Sequence, residues 1–344
     1  MTDIKAEIDV LPGIDRSARL LDVRDLRVEF RTTAGVAKAI NGVSFGLDPG
    51  ETLAILGESG CGKSVTAQAI MGILDTPPGY VTGGQVLYRG VDLLRLPEEQ
   101  RRRVRANKIA MIFQDALSAL NPVFTVGFQL AELYRKHRGV SRSEARKKAV
   151  ELLDLVKIPA ARQRVSDYPH HFSGGMRQRV MIAMSLALDP DILIADEPTT
   201  ALDVTVQAQI MNLLAELQAE RNMGLILITH DMGVVADVAD RISVMYAGKI
   251  VEEAGVYDIY AKPAHPYTKA LLESIPRLDL KGRELQVIKG LPPNLTAIPP
   301  GCSFNPRCRY ARDVCRVDPP PPAYEVSATR SARCHFWQEV IGDE

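Results

Sequence analysis

Gly57-Glu58-Ser59-Gly60-Cys61-Gly62-Lys63-Ser64 is the stretch that decides the fold. It satisfies G-x-x-x-x-G-K-[ST] at every fixed position, and its flanks supply the setting that this pattern needs. Ahead of it, Thr52-Leu53-Ala54-Ile55-Leu56 is an apolar run of strand type; behind it, Val65 to Met71 can continue as a helix. In a strand–loop–helix unit the glycines let backbone N–H groups converge on phosphate oxygens, and the helix N-terminus adds its partial positive charge. Lys63 is placed to reach β- and γ-phosphates, and the Ser64 hydroxyl to ligate Mg²⁺. The whole stretch from Gly57 to Val65 therefore reads as a nucleotide-phosphate loop. Cys61 fills a variable position as a small neutral residue. A chance glycine-rich turn would lack the flanking context.

Working outward, the chain has 344 residues, enough for one large domain with an appendage or for two modest domains. Its 46% hydrophobic and 24% charged residues are ordinary for a globular protein, and its formal net charge of zero provides no field for nucleic acid or an acidic membrane surface. No apolar run approaches the ~18–20 residues that span a bilayer. Residues 1–19 mix acids, bases, Pro12 and Gly13 without a signal-peptide core, so a flexible leader and a cytosolic location are expected.

On the N-terminal side, Leu20 to Phe30 alternates apolar and polar residues as a half-buried strand does, and Val36 to Leu47 repeats the pattern. These strands predict a small antiparallel β layer beside the nucleotide. Phe30 stands either where an aromatic ring would stack on adenine or simply in the strand core. On the C-terminal side, Pro77-Pro78-Gly79 and Gly83-Gly84 mark a loop before strand-like Gln85 to Tyr88. The basic run from Glu98 to Lys108 reads as a solvated helix face rather than a nucleic-acid site. Ile109 to Phe113 is an apolar strand ending at Gln114. From about 115 to 180 the character turns helical, with Ser141 and Glu144 in a capping-box pattern ahead of Ala145, Ala149, Leu152, Leu153 and Val156.

Ser173-Gly174-Gly175-Met176 opens the next helix. Two glycines directly behind a Ser cap are poor helix formers, so they imply close backbone approach to something. Ile192 to Ala195 is a buried-strand run delivering Asp196 and Glu197, and Gly224 to Thr229 is another, delivering His230. In open α/β sheets ligands sit at such C-terminal strand ends. Adjacent carboxylates downstream of a phosphate loop have a chemical use: Asp196 to hold Mg²⁺ together with Ser64 and Gln114, and Glu197 to polarise an attacking water as general base. Gln114 and His230 would line the γ-phosphate. Arg241 to Glu252 closes the domain as a hairpin turning at Ala247-Gly248.

Phosphate loop, Gln114, Ser173-Gly174-Gly175, Asp196-Glu197, Ala201-Leu202-Asp203 and His230 fall in the order of the ATP-binding-cassette (ABC) ATPases, which the chain resembles from about Leu20 to Ala261. The resemblance makes Gly57–Ser64 the Walker A loop, Gln114 the Q-loop glutamine, Ser173 to Met176 the signature, Asp196 and Glu197 the Walker B and catalytic pair, Asp203 the D-loop aspartate and His230 the switch histidine. Met176 departs from the glutamine usual at that place, which leaves the phosphate contacts of the Ser and glycines untouched. The implied fold is an α/β P-loop NTPase core of ABC type, over 20–261, with an antiparallel β subdomain and a helical insertion. Residues 262–344 would form a loop-rich C-terminal extension.

Phe172 to Arg179, Ala264-His265-Pro266-Tyr267-Thr268 and Gly301-Cys302-x-Phe304-x-x-Arg307-Cys308 resemble ATPases of dipeptide and oligopeptide importers. That resemblance implies ATP and Mg²⁺ as ligands and a head-to-tail pair with a second, paralogous ATPase subunit. It also implies two transmembrane permease subunits, an extracytoplasmic substrate-binding protein, no nucleic-acid partner, and a peripheral place on the cytoplasmic face of the membrane. A soluble cassette ATPase acting on DNA or ribosomes is the alternative. The lack of tandem cassettes, of a long coiled coil and of a basic balance speaks against it. A P-loop kinase would leave the Ser-Gly-Gly helix start unexplained.

Cys302, Cys308, Cys315 and Cys334 stand in a proline-broken stretch that buries little core and would gain from a staple. Disulfides are disfavoured in the cytosol. Four thiols can otherwise be free and buried, or bind zinc or a [4Fe–4S] cluster. The spacing lacks the short zinc knuckle, and some importer ATPases that the chain resembles carry such a cluster, so an iron–sulfur site is the expectation.

Overall fold

The computed structural model describes residues 11, 13–115, 119–200, 202–275 and 288–343. Most of the expected leader, and Ala201 of the Ala-Leu-Asp run, fall outside them.

Strands β1 (Leu21–Thr32) and β2 (Gly35–Leu47) pair antiparallel, with Leu21 opposite Leu47 and Thr32 opposite Gly35. The alternation seen in the sequence buries Leu21, Val23, Leu26 and Val28. Strand β3 (Thr52–Leu56) then leaves this layer, and helix α1 (Lys63–Met71) starts directly behind the glycine loop. The chain returns as β4 (Gly79–Tyr88) and β5 (Val91–Asp92), giving a four-stranded layer in the order β2-β1-β4-β5. Gly83-Gly84, expected in a loop, lie inside β4. They occupy a register shift against Arg24–Arg27, a bulge that bends the strand without ending it.

Helix α2 (Glu98–Asn107) and strand β6 (Ile109–Ile112) precede the helical block of α3 (Val126–Arg138), α4 (Arg142–Leu155), α5 (Ala161–Arg164) and α6 (Gly174–Leu186). Arg105 of α2 is not simply solvated: it donates to the Gly72 carbonyl behind α1 at 2.7 Å. In α4, Ser141 Oγ accepts from the Glu144 amide at 3.2 Å, as the capping pattern predicted. Ala145, Ala149, Leu152 and Leu153 form its buried stripe.

The remaining elements are β7 (Ile192–Asp196), α7 (Val204–Arg221), β8 (Gly224–Thr229), α8 (Met232–Val238), β9 (Arg241–Tyr246) and β10 (Lys249–Gly255). Helices α9 (Val256–Ala261) and α10 (Pro266–Glu273), strands β11 (Tyr324–Ser327) and β12 (Arg330–Ala332), and helix α11 (Trp337–Gly342) complete the chain. Among the described residues the second sheet runs β11-β12-β10-β9-β3-β8-β7-β6. Pairings β9-β3, β3-β8, β8-β7 and β7-β6 are parallel.

Both faces of this sheet are covered, which is why its central strands read as unbroken apolar runs. Ala54, Leu193 and Leu225 point to the core shared with the helical block. Leu53, Ile192 and Ile226, one residue along each strand, point to the core under the antiparallel layer. The C-terminal extension is less loose than its prolines suggest. Its β12 joins the main sheet against β10, Glu252 opposite Ala332, and Phe304 is buried in the main core.

Candidate functional site

Strands β3, β6, β7 and β8 deliver their C-terminal ends to one edge of the sheet, and the sequence-marked polar residues gather there. Gly62 takes φ 110°, and a Cβ on it would lie 2.5 Å from the Ala39 carbonyl of β2, so only glycine fits this step of the loop. Lys63 is buried and donates to the carbonyls of Gly57 (2.7 Å) and Glu58 (3.1 Å). Ser64 Oγ donates to Asp196 Oδ1 at 3.0 Å, joining α1 to the end of β7. Asp196 is only 4% exposed; burial raises its pKa and the Glu197 charge adds to this, while the Ser64 hydrogen bond and Lys63 oppose it.

The Glu197 carboxylate is held from three sides. Its Oε2 accepts from Gln114 Nε2 (3.0 Å) and from Thr200 Oγ1 (2.9 Å), and its Oε1 lies 3.4 Å from His230 Nδ1. Its own amide donates to the Ile228 carbonyl of β8 at 2.8 Å. Gln114, Asp196, Glu197 and His230 thus meet with Lys63 and Ser64, from four separate segments. Thr200 was missed by sequence reasoning. A threonine after a strand-ending proline looks like any turn residue, and only its spacing of three from Glu197 hinted at the contact.

Other predicted residues sit around this centre. Ser59 and Gly60 are exposed at the loop tip, Glu58 and Val65 are half-buried, and Cys61 is buried beneath the loop, where burial pushes its thiol pKa up. Phe30 is half-buried on β1, opposite Ala37 and Gly79. Asp203 caps α7, accepting from the Val206 amide at 2.9 Å. Ser173 caps α6, accepting from the Met176 amide at 3.4 Å. What approaches the Gly174-Gly175 pair is α7: a Cβ on Gly175 would lie 2.6 Å from a Val206 methyl. Among the described residues no hydrogen bond links 173–176 to 57–64 of the same chain.

The family model described as "ABC transporter" matches residues 40–200, and that described as "Oligopeptide/dipeptide transporter, C-terminal region" matches 251–315. The chain is 55% identical over 302 residues to the dipeptide transport ATP-binding protein DppD of Bacillus subtilis, covering 88% of this chain and 90% of that one. It is 52% identical over 312 residues to the oligopeptide transport ATP-binding protein OppD of Salmonella typhimurium, covering 91% and 92%. The chain belongs to the ABC transporter ATPases. Among solved structures, the ATP-binding cassette MJ0796, in a dimeric post-hydrolysis state bound to ADP and Pi, matches with TM-score 0.62 at 28% identity. That match covers 69% of this chain and 98% of the other. The α/β core with its antiparallel layer is accordingly the fold of an ABC cassette, and the chain is an ABC-type ATPase, whose ligands are ATP and Mg²⁺.

One expectation for this ABC ATPase is overturned. Cys302, Cys308, Cys315 and Cys334 are free thiols, and among the described residues no group of three or more His, Cys, Asp or Glu is disposed to hold a metal ion. The four line one cavity of about 10 Å³ beside Phe304 and Phe336, room for a single water at most. Burial first, and then the neighbouring cysteines, push the Cys308 thiol up to about 11 and that of Cys334 up to about 12. Neither the iron–sulfur cluster nor the zinc alternative is supported. The staple that the extension was expected to need is supplied instead by strand pairing, by buried Phe304 and by ion pairs to the ATPase core. Among the described residues no helix is long and apolar enough to cross a membrane.

Proposed function

We propose that this ATPase energises the import of di- and oligopeptides, or related small solutes, through a membrane ABC transporter, with the residues gathered at the sheet edge performing hydrolysis. The convergence of Gln114, Thr200 and His230 on the Glu197 carboxylate carries the reading. A carboxylate fixed at both oxygens, at a strand end beside a phosphate loop, is prepared to take a proton from an attacking water. In this reading Gly57 to Val65 cradle the phosphates through their N–H groups, Lys63 neutralises β- and γ-oxygens, and Phe30 stacks on adenine.

Asp196, Ser64 and Gln114 would hold Mg²⁺; a buried carboxylate hydrogen-bonded to a hydroxyl is the hard oxygen pair that this ion prefers. When bound there, the ion would supply neutralisation of the phosphate charge. Ser173, Gly174, Gly175 and Met176 act on ATP held by a partner cassette, with Asp203 at the shared interface. The exposure of Ser173 and Gly174 at the start of α6 supports this. So does the dimeric form of the MJ0796 cassette.

The names of the relatives, dipeptide and oligopeptide transport ATP-binding proteins, support peptides as cargo; a second, paralogous ATPase subunit, two permeases and an external binding protein are the partners this reading implies. Membrane docking has its own support. Phe113, the neighbour of Gln114 in the chain, is exposed and lines an apolar groove of about 270 Å³ with Ala119, Leu133, Met181 and Met184, and Val123 and the stacked Phe124 and Phe128 are exposed as well. An exposed apolar groove of this kind marks a protein contact. Permease segments seated there would place the chain on the cytoplasmic face and link transport to Gln114.

Glu197→Gln tests the assignment. It should bind ATP as the parent does and lower turnover by ~10²–10⁴, the worth of a general base. Parental turnover in the variant would refute the role of Glu197. Uptake of a labelled dipeptide by cells carrying it should fall in step.

A further inference from the structure

Two stretches outside the ATPase core, 264–268 and 301–308, converge on one residue of the phosphate loop. Tyr267 and Phe304 are fully buried and form an aromatic cluster with Tyr246 at the end of β9, ring centres 4.6 to 5.3 Å apart. From this cluster the Tyr267 hydroxyl accepts the Glu58 amide at 2.8 Å. Arg307 grips the Glu58 carboxylate with both arms of its guanidinium, at 2.6 and 2.8 Å, and reaches the Tyr246 hydroxyl at 3.3 Å. Only 5% of the Arg307 side chain is exposed. Meanwhile the Glu58 carbonyl accepts from Lys63 Nζ and from the Cys61 amide. Every polar group of Glu58 is thus engaged, its N–H and carboxylate by the C-terminal extension and its carbonyl by the loop itself.

We propose that Arg307 and Tyr267 are positioning residues for ATP: the C-terminal extension holds Glu58, and through it the phosphate loop, in its binding shape. The inference rests on the reading that Gly57 to Ser64 receive the phosphates. A loop with three glycines in eight residues has much backbone freedom to lose on binding. A bidentate, charge-assisted clamp removes that freedom in advance, and preorganisation of this kind raises affinity without touching the ligand. Arg307 is suited to the task because its fork matches both carboxylate oxygens, which a lysine cannot do. The clamp also gives a purpose to His-Pro-Tyr and Phe-x-x-Arg, which hydrolysis itself leaves unused.

The test is ATP binding and steady-state hydrolysis by the full-length chain carrying Arg307→Gln, Arg307→Lys or Glu58→Gln. Arg307→Gln and Glu58→Gln should each raise the ATP dissociation constant and KM about tenfold, as a lost preorganising contact does, with kcat within about twofold. Arg307→Lys should recover part of the loss. The double variant should be no worse than the poorer single one, because both remove the same contact. Arg309→Gln, which breaks a separate pair with Glu273 in the same extension, should leave affinity unchanged. Lys63→Ala separates the two levels: parental affinity there refutes the phosphate-loop reading itself. Weakened binding in Lys63→Ala, with unchanged or tighter binding in both Arg307→Gln and Glu58→Gln, overturns the clamp alone. Should Arg307→Gln fail to fold, Glu58→Gln decides.

Discussion

Glu197 takes φ 46°, a left-handed conformation that costs a non-glycine residue on the order of 1–3 kcal/mol. The cost is offset by the hydrogen bond that its N–H donates to the Ile228 carbonyl and by the contacts on its carboxylate. That conformation aims the carboxylate back across the strand ends, where Gln114 and His230 can reach it. Thr200 is the partner whose loss should be cleanest, since Val copies its shape without the hydroxyl. Thr200→Val should lower kcat about tenfold through a loosened carboxylate while KM for ATP changes little, as misplacement of a reacting group does. Steady-state hydrolysis over a range of ATP concentrations checks it; a change in KM alone would mean that Thr200 serves binding instead.

At the scale of elements, the helix starts offer two separate tests. The α6 start is capped by Ser173 and, among the described residues, makes no hydrogen bond to the chain's own phosphate loop. Ser173→Arg should therefore spare ATP binding by the isolated chain and abolish hydrolysis in the assembled transporter, as read by nucleotide titration of one and ATPase assay of the other. Helix α10 is capped differently: His265 Nδ1 accepts from the Tyr267 amide at 3.1 Å, which requires an unprotonated nitrogen. Complete burial holds the His265 pKa down to about 3. The folded value lies below the unfolded one, so the unfolded chain takes up the proton first and stability falls as pH drops below about 6.5. Between pH 7.5 and 5 this one group should remove about 2 kcal/mol. Urea unfolding at both pH values should show that loss in the parent and its absence in His265→Asn, which keeps a cap acceptor.

For the whole molecule, the question is how a proline-rich extension stays docked. Arg330 on β12 pairs with Glu252 on β10 at 3.0 Å, with 6% and 0% of the two side chains exposed. Glu252 also accepts the amides of Ala264 (2.8 Å) and His265 (2.9 Å). One buried carboxylate therefore fastens the last strand pair, the ATPase hairpin and the start of α10. Removing one partner leaves the other charged and buried. Arg330→Met should cost about 3–5 kcal/mol, and Arg330→Met with Glu252→Gln, which removes the charge but keeps an oxygen for the Ala264 and His265 amides, should recover part of that. Denaturant titration of both variants measures it, and a double variant as unstable as the single one would show that the loss does not come from the unpaired charge.

The phosphate loop, the strand ends bearing Asp196, Glu197, Gln114 and His230, and the caps at Ser141 and Ser173 were all legible in sequence. Each depends on residues adjacent in the chain: glycines that allow a turn, an apolar run that must be buried, a hydroxyl three residues from an amide. Such local rules also marked the layers of the sheet, because alternation and unbroken apolar runs report one or two covered faces. What only the tertiary structure decided is long-range pairing. Nothing near Glu58 in sequence announces Arg307, nothing near Glu252 announces Arg330, and the four cysteines invited a metal that their packing does not favour. Those contacts depend on where the extension lands on the sheet, which the summed burial of Phe304, Tyr267 and β12 determines and no local pattern encodes.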